Sequence, residues 1–301
     1  MYDQVSSNKL KSVLLIIVFM MLVLGVGWAF GYASNWGSWG LAVAVVVAFA
    51  MTWGSYWYSD RIVLSISRAR PVDRQTEPYL VNVIEGLSIA AGIPVPDAYV
   101  IDDEAPNAFA TGRNPEHAAI AVTRGLTEKL DRLELEGVIA HEMSHIKNYD
   151  TLVQTLAAVM AGTVVLLSEW MIRSWWWGGG RKRGGNSSEG GGQIQAILAL
   201  VAVVLLILSP LFAALIQMAI SRKREYLADA NAALLTRFPE GLANALRKIS
   251  SDPNRLGVAN KATESLYIFN PLKDYRGGRG LNALFDTHPP IEDRIKRLEA
   301  M

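Results

Sequence analysis

His141-Glu142-Met143-Ser144-His145 is the stretch on which the reading of this chain turns. Leu126, Leu130, Leu133 and Val138 lead into it at helical spacing, and Gly137-Val138-Ile139-Ala140 just before it is apolar. On a helix, side chains four residues apart leave the same face, about 40° apart in rotation. Two imidazoles so placed can grip one metal ion. The glutamate beside the first can then reach a water that the metal activates, which is the working arrangement of a zinc peptidase. The competing reading is a pair of surface histidines. Against it stand the apolar lead-in, the fact that two of the chain's four histidines fall in this pentapeptide, and a candidate third ligand downstream.

Composition narrows the choice of ligands and partners. The 301 residues suffice for one or two domains. There are no cysteines, which excludes disulfides, thiolate zinc sites and a cysteine nucleophile. A tetrahedral zinc must therefore use histidine and carboxylate. The net charge of +1 carries no nucleic-acid footprint. The chain is 51% hydrophobic and 19% charged, and the charged share lies below the roughly 25% usual for soluble domains.

That excess of apolar residues is segregated. Residues 13–33 and 40–58 are uncharged apolar runs, each long enough to cross the roughly 30 Å hydrocarbon core as a helix. Trp53, Tyr56, Trp57 and Tyr58 close the second with an interfacial aromatic cluster. The first run exceeds the apolar core of a cleaved signal, so an uncleaved anchor is expected. Two further runs, 152–172 and 194–220, follow the motif and are expected to span as well, rather than form a buried soluble hairpin. Between them lies the Gly-rich loop 178–192, with Arg181-Lys182-Arg183. The expected layout is a membrane hairpin at 1–59, a first peptidase part at 60–151, a second hairpin at 152–220 and a second peptidase part at 221–301. Cationic flanks (Lys9 and Lys11; Arg61, Arg68 and Arg70; Arg222, Lys223 and Arg224) place both peptidase parts in the cytoplasm, against the single dissenting loop 181–183.

Residues 76–91 read as an amphipathic helix stopped by Gly92 and Pro94. Short strands are expected at 98–101, 108–111 and 118–122, one helix from Leu126 to His145, and further helices at 225–237, 240–251 and 290–299. The fold class is thus mainly α with a small β-sheet. Glu225 and Asp229 share a helical face four residues apart. Glu225 could complete a three-ligand site with an open position, and Asp229 could orient a ligating histidine. A solvated charged face is the alternative, and the residues alone leave both open. His117 has no partner at useful spacing. If the ligand helices run unbroken into spans three and four, His145 and Glu225 each stand about 8–11 Å beyond a span.

Together these segments resemble the HtpX heat-shock proteases, multi-pass membrane zinc metallopeptidases related to the CAAX prenyl endopeptidases. The resemblance covers nearly the whole chain. It rests on the N-terminal spans, Asn107-Ala108-Phe109-Ala110-Thr111-Gly112, the H-E-x-x-H, the second hairpin, Arg224-Glu225-Tyr226-Leu227-Ala228-Asp229, and Thr287-His288-Pro289-Pro290 with Arg294 after it. It implies a zincin-like (gluzincin) domain at the cytoplasmic face of the cell membrane, with one zinc held by His141, His145 and Glu225 and with Glu142 as catalytic acid/base. His288 and Arg294 match positions that face the substrate carbonyl or brace the site; a simple turn before two prolines remains an alternative for His288. Asn107, Ala108 and Phe109 could pair with an extended substrate as an edge strand, or could be ordinary hairpin packing.

The implied partners are protein or peptide substrates, membrane or misfolded proteins among them, and the bilayer itself. Two alternatives remain: a non-catalytic membrane scaffold keeping the fold, disfavoured by the intact Glu142, and a prenyl-peptide processing protease, for whose enclosed chamber four spans look too few. A His₂Glu site would also hold cobalt or manganese.

Overall fold

The computed structural model describes residues 2–33, 38–179, 222–258, 263–271 and 289–301. The proposed span 194–220, the loop cations 181–183 and His288 lie outside the described residues. Helix α1 (Tyr2–Ala33) and helix α2 (Ser38–Ile66) form an antiparallel pair. Within them Gln4–Trp28 and Ala42–Ile66 are long and apolar enough to cross a membrane. Most of their surface is uncovered by protein: Met21 is 60% exposed, Val46 67% and Phe49 62%. A soluble core helix would bury such residues, since roughly 25 cal/mol is lost for each Å² of apolar surface left in water; lipid removes that cost.

The short strand β1 (Arg70–Pro71) follows, then α3 (Pro78–Ala91), β2 (Asp97–Ile101), β3 (Ala108–Gly112) and β4 (Ala118–Thr123). Pro78 starts α3, where its missing N–H costs nothing, and Gly92 ends it in the left-handed region at φ 67. The sheet order is β1-β2-β4-β3, with β2 and β4 parallel and the outer pairs antiparallel. Strands β3 and β4 are buried throughout, which is why they read as unbroken apolar runs. Ala108, Ala110, Ile120 and Val122 pack on the helical side. Phe109, Ala119 and Ala121 pack on the other side, with Val63 of α2.

The helix expected from Leu126 to His145 is two helices. Helix α4 (Arg124–Lys129) stops, and Asp131 starts α5 (Arg132–Lys147) with a capping box: its carboxylate accepts from Glu134 N while Glu134 Oε2 accepts from Asp131 N. The restart resets the helical phase. The buried face becomes Leu135, Val138, Ile139 and Met143, and Leu133, expected to be apolar-facing, is 49% exposed.

A second break follows the motif. Tyr149, at φ 60, turns the chain, and α6 (Asp150–Gly179) starts anew. The ligand helix therefore does not run unbroken into the third apolar segment, and the condition set for the distance of His145 from a span is not met. Residues 151–160 of α6 are buried, and Leu152, Leu156 and Met160 pack with Leu15, Phe19 and Val23 of α1. Ala158 and Val159 join the cluster behind the sheet. The described chain ends with α7 (Arg222–Thr236), α8 (Pro239–Ser251) and α9 (Ile291–Glu299). Helices α7 and α8 pack on α5, and α9 packs on α7 and α8. At Gly137 the approach is so close that a Cβ would stand 2.7 Å from Leu242 N of α8.

Candidate metal centre

Helix α5 presents His141 and His145 on one face, both almost fully buried, and α7 brings Glu225 to meet them. Among the described residues this is the one cluster that could hold a metal ion, its donor atoms all within 4.8 Å of one another. The two Nε2 atoms are 3.2 Å apart. Glu225 Oε2 lies 3.7 Å from His141 Nε2, and Oε1 3.5 Å from His145 Nε2. Three donors about 2 Å from a tetrahedral ion are about 3.3 Å from one another, so these spacings fit such an ion.

The outer nitrogens settle what the inner ones carry. His141 Nδ1 is 3.0 Å from Asp229 Oδ1, and His145 Nδ1 is 3.0 Å from Asp150 Oδ2. Each Nδ1 therefore bears the proton and donates it to a carboxylate, so two Nε2 lone pairs face each other. That arrangement is repulsive unless a cation lies between them. In the metal-free protein His141 is the ring that favours an added proton. Burial alone lowers the His141 pKa, but the bonds to Asp229 and Glu225 outweigh it and raise the value to about 9.

Asp229 is itself gripped by Arg294 of α9, whose Nε and Nη2 donate to its two oxygens at 2.9 and 2.7 Å. Burial would raise the Asp229 pKa; the Arg294 charge, with His141, overrides this and lowers it to about 2. Arg294 is fully buried and also donates from Nη1 to the Ile268 carbonyl at 3.1 Å. Its guanidinium lies against the cluster, with Nη1 also 3.8 Å from Glu225 Oε2.

Glu142 follows His141 on α5 and is buried beneath β3. Burial pushes its pKa up, partly opposed by the neighbouring histidines and by a hydrogen bond from the backbone N–H of Ala110. On β3, Asn107 O accepts from Thr123 N, so Phe109 faces β4 and Ala108 and Ala110 direct their backbone groups to the outer edge. Part of that edge is taken: Ala108 O accepts from Ile268 N at 2.9 Å, and the Asn107 side chain donates to Phe269 O. Asn107, Ala108 and Phe109 are all buried. The stretch of edge beyond them, toward Gly112, is the part not paired with Ile268. His117 is exposed, with Nδ1 2.8 Å from Asn114 Oδ1, and is not part of the cluster.

Asp150 carries no signal of this role in the sequence. On a continuous helix a residue five positions after His145 would lie about 140° around the axis, facing away. Only the left-handed turn at Tyr149 returns it to the imidazole.

Fold, exposed apolar helices and site together define a membrane-associated metalloendopeptidase. The pattern of Peptidase family M48 matches residues 74–301, and the chain belongs to that family. It is 48% identical over 300 residues to a "Protease HtpX homolog" of Dictyoglomus thermophilum, covering 100% of this chain and 94% of that one. A protein of the same description from Streptococcus pneumoniae serotype 4 is 45% identical over 302 residues, with 100% of both chains covered. A solved structure, that of S. mikatae Ste24p, is similar at a TM-score of 0.47 and 18% identity, covering 99% of this chain and 67% of that one.

Proposed function

We propose that the protein is a zinc-dependent endopeptidase of the cell membrane that cleaves membrane or misfolded proteins at the cytoplasmic face, in protein quality control. The observation that carries the chemistry is the pair of opposed Nε2 atoms closed by Glu225. His141, His145 and Glu225 are the residues that would hold the ion. Zinc supplies there a Lewis acid that activates water and polarises the scissile carbonyl. Glu142 takes a proton from the attacking water and delivers it to the leaving amine. In the metal-free protein its burial raises its pKa.

Asp229 holds the His141 tautomer, and Arg294 acts by bracing that carboxylate and by its charge 3.8 Å from Glu225. His288 is the proposed donor to the developing oxyanion. In support, the next residue, Pro289, is buried and leads straight into α9, which docks Arg294 on the site. Strand addition of substrate is proposed for the β3 edge that begins at Asn107, Ala108 and Phe109, entering from the Gly112 end that Ile268 leaves unpaired.

Residues 1–59 and 152–220 are the proposed membrane hairpins, and 60–151 with 221–301 the peptidase parts. Asn8, near the start of the Gln4–Trp28 segment, is level with Asp150, which supports a site at the membrane surface. Cationic flanks favour the cytoplasmic side. The test compares wild type with Glu142→Gln on casein and on a membrane-protein substrate, alongside metal analysis of the purified protein. One zinc per chain and cleavage by wild type alone are expected; equal cleavage by both would end the enzyme reading.

A further inference from the structure

Asp150 uses one oxygen on His145 and the other on two residues from outside the ligand helix. Asn8 of α1 donates from Nδ2 to Asp150 Oδ1 at 2.7 Å and to the Asn148 carbonyl at 2.9 Å. Arg224 of α7 donates from Nη1 to the same Asp150 oxygen at 3.0 Å and to Asn8 Oδ1 at 3.2 Å. Lys9, the next residue of α1, places Nζ 4.6 Å from the centre of the Tyr149 ring. Asn8, Asp150 and Arg224 are all buried. The first helix of the chain therefore closes on the very turn that returns a carboxylate to His145.

We propose that Asn8 and Arg224 are positioning residues for the metal site, and that the apolar helix α1 is a working part of that site through Asn8 rather than an anchor alone. The proposal rests on the metal reading above. Its physics is that of a buried carboxylate, which needs donors on every face. Asn8 and Arg224 fill Oδ1, leaving Oδ2 free to hold the His145 Nδ1 proton and thus to aim Nε2 at the ion. Without Asn8, Asp150 must turn toward Arg224 or admit water, and either motion loosens its hold on His145. Arg224 adds a second link, because its neighbour Glu225 is the third proposed ligand: one side chain ties the helix of that ligand to the support of another.

The experiment uses the full chain in detergent micelles, stripped of metal and titrated with Co²⁺ and Zn²⁺ against a chelator. Asn8→Ala is expected to weaken metal binding by on the order of tenfold and to change the visible Co²⁺ absorption. Phe19→Leu, a packing change on the same helix away from Asp150, is expected to lower the unfolding temperature while leaving affinity and spectrum as in wild type. In an Asp150→Asn background, Asn8→Ala should have little further effect on affinity, because the coupled partner is gone. A folded Asn8→Ala protein with wild-type affinity and spectrum would overturn the proposal; if that variant is not recovered folded, Asn8→Ser is judged by the same two readouts. Wild type that takes up no ion, or takes it up equally well as His141→Ala, would instead overturn the metal reading, and this proposal with it.

Discussion

A buried pair of imidazoles bonded outward to carboxylates must share a cation, and protons compete with metal for that role. With His141 raised to about 9 in the metal-free protein, binding at neutral pH has to expel its proton. The apparent metal affinity should therefore climb about tenfold per pH unit up to pH about 9 and then flatten. Competition titrations across that range, with proton release measured in weak buffer, check it. The same shift has a stability sign. His141 favours the folded metal-free state fully below its ordinary value of 6.5, and the benefit is lost as pH rises through about 9. Asp229 behaves oppositely: its contribution is present above 3.8 and disappears as pH falls through about 2. Arg294→Met should cost about 3–5 kcal/mol, because it leaves a buried carboxylate without its cation. Denaturant unfolding of the metal-free protein would measure this, and an unchanged midpoint would show that Asp229 does not depend on Arg294. Glu225 and Asp229 were legible as a pair in the sequence because both lie on one unbroken helix. Asp150 was not, because its approach to His145 depends on a backbone turn at Tyr149 that no periodicity announces.

Elements were legible where pattern and packing agree. Strands β3 and β4 showed as apolar runs because they are buried throughout, and α3 showed its end at Gly92. Strand β1 had no pattern to show: Arg70 and Pro71 pair only at the sheet margin and stay exposed. The division of α4 from α5 was hidden because Leu126, Leu130 and Leu133 happen to keep helical spacing across a cap that Asp131 and Glu134 make. Helix packing itself makes two predictions. Gly137→Ala places a methyl against the α8 backbone and should destabilise by about 1–3 kcal/mol, read as a lower unfolding temperature. Ala110 points its N–H at Glu142 from the outer edge of β3, where proline removes no ladder bond. Ala110→Pro should thus leave the sheet intact while taking a donor from the Glu142 carboxylate. The acid limb of the kcat/KM profile should then move to higher pH, and an unmoved limb would show that Glu142 does not set it.

At the scale of the molecule, the sheet has the ligand helix on one face and the ends of α2 and α6 on the other. The outward sides of α1 and α2 remain apolar and bare. A peptidase built this way is packed against its long apolar helices rather than merely joined to them, since Phe109 of the candidate substrate strand shares a cluster with Val63 and Val159. The chain contains no cysteine, so a single introduced one is a clean reporter of how this assembly meets the bilayer. Val46→Cys, on the bare face of α2, should resist a water-soluble maleimide in native membranes and react once the protein is denatured. Glu292→Cys, exposed on α9, should react in inverted vesicles and stay unlabelled in intact right-side-out ones, because the proposed orientation puts α9 in the cytoplasm. Labelling of Glu292→Cys from outside would reverse that orientation without touching the metal site. Equal labelling of Val46→Cys and Glu292→Cys in native membranes would remove lipid as the cover for α2, and with it the argument that the exposed valines and phenylalanine there mark a span.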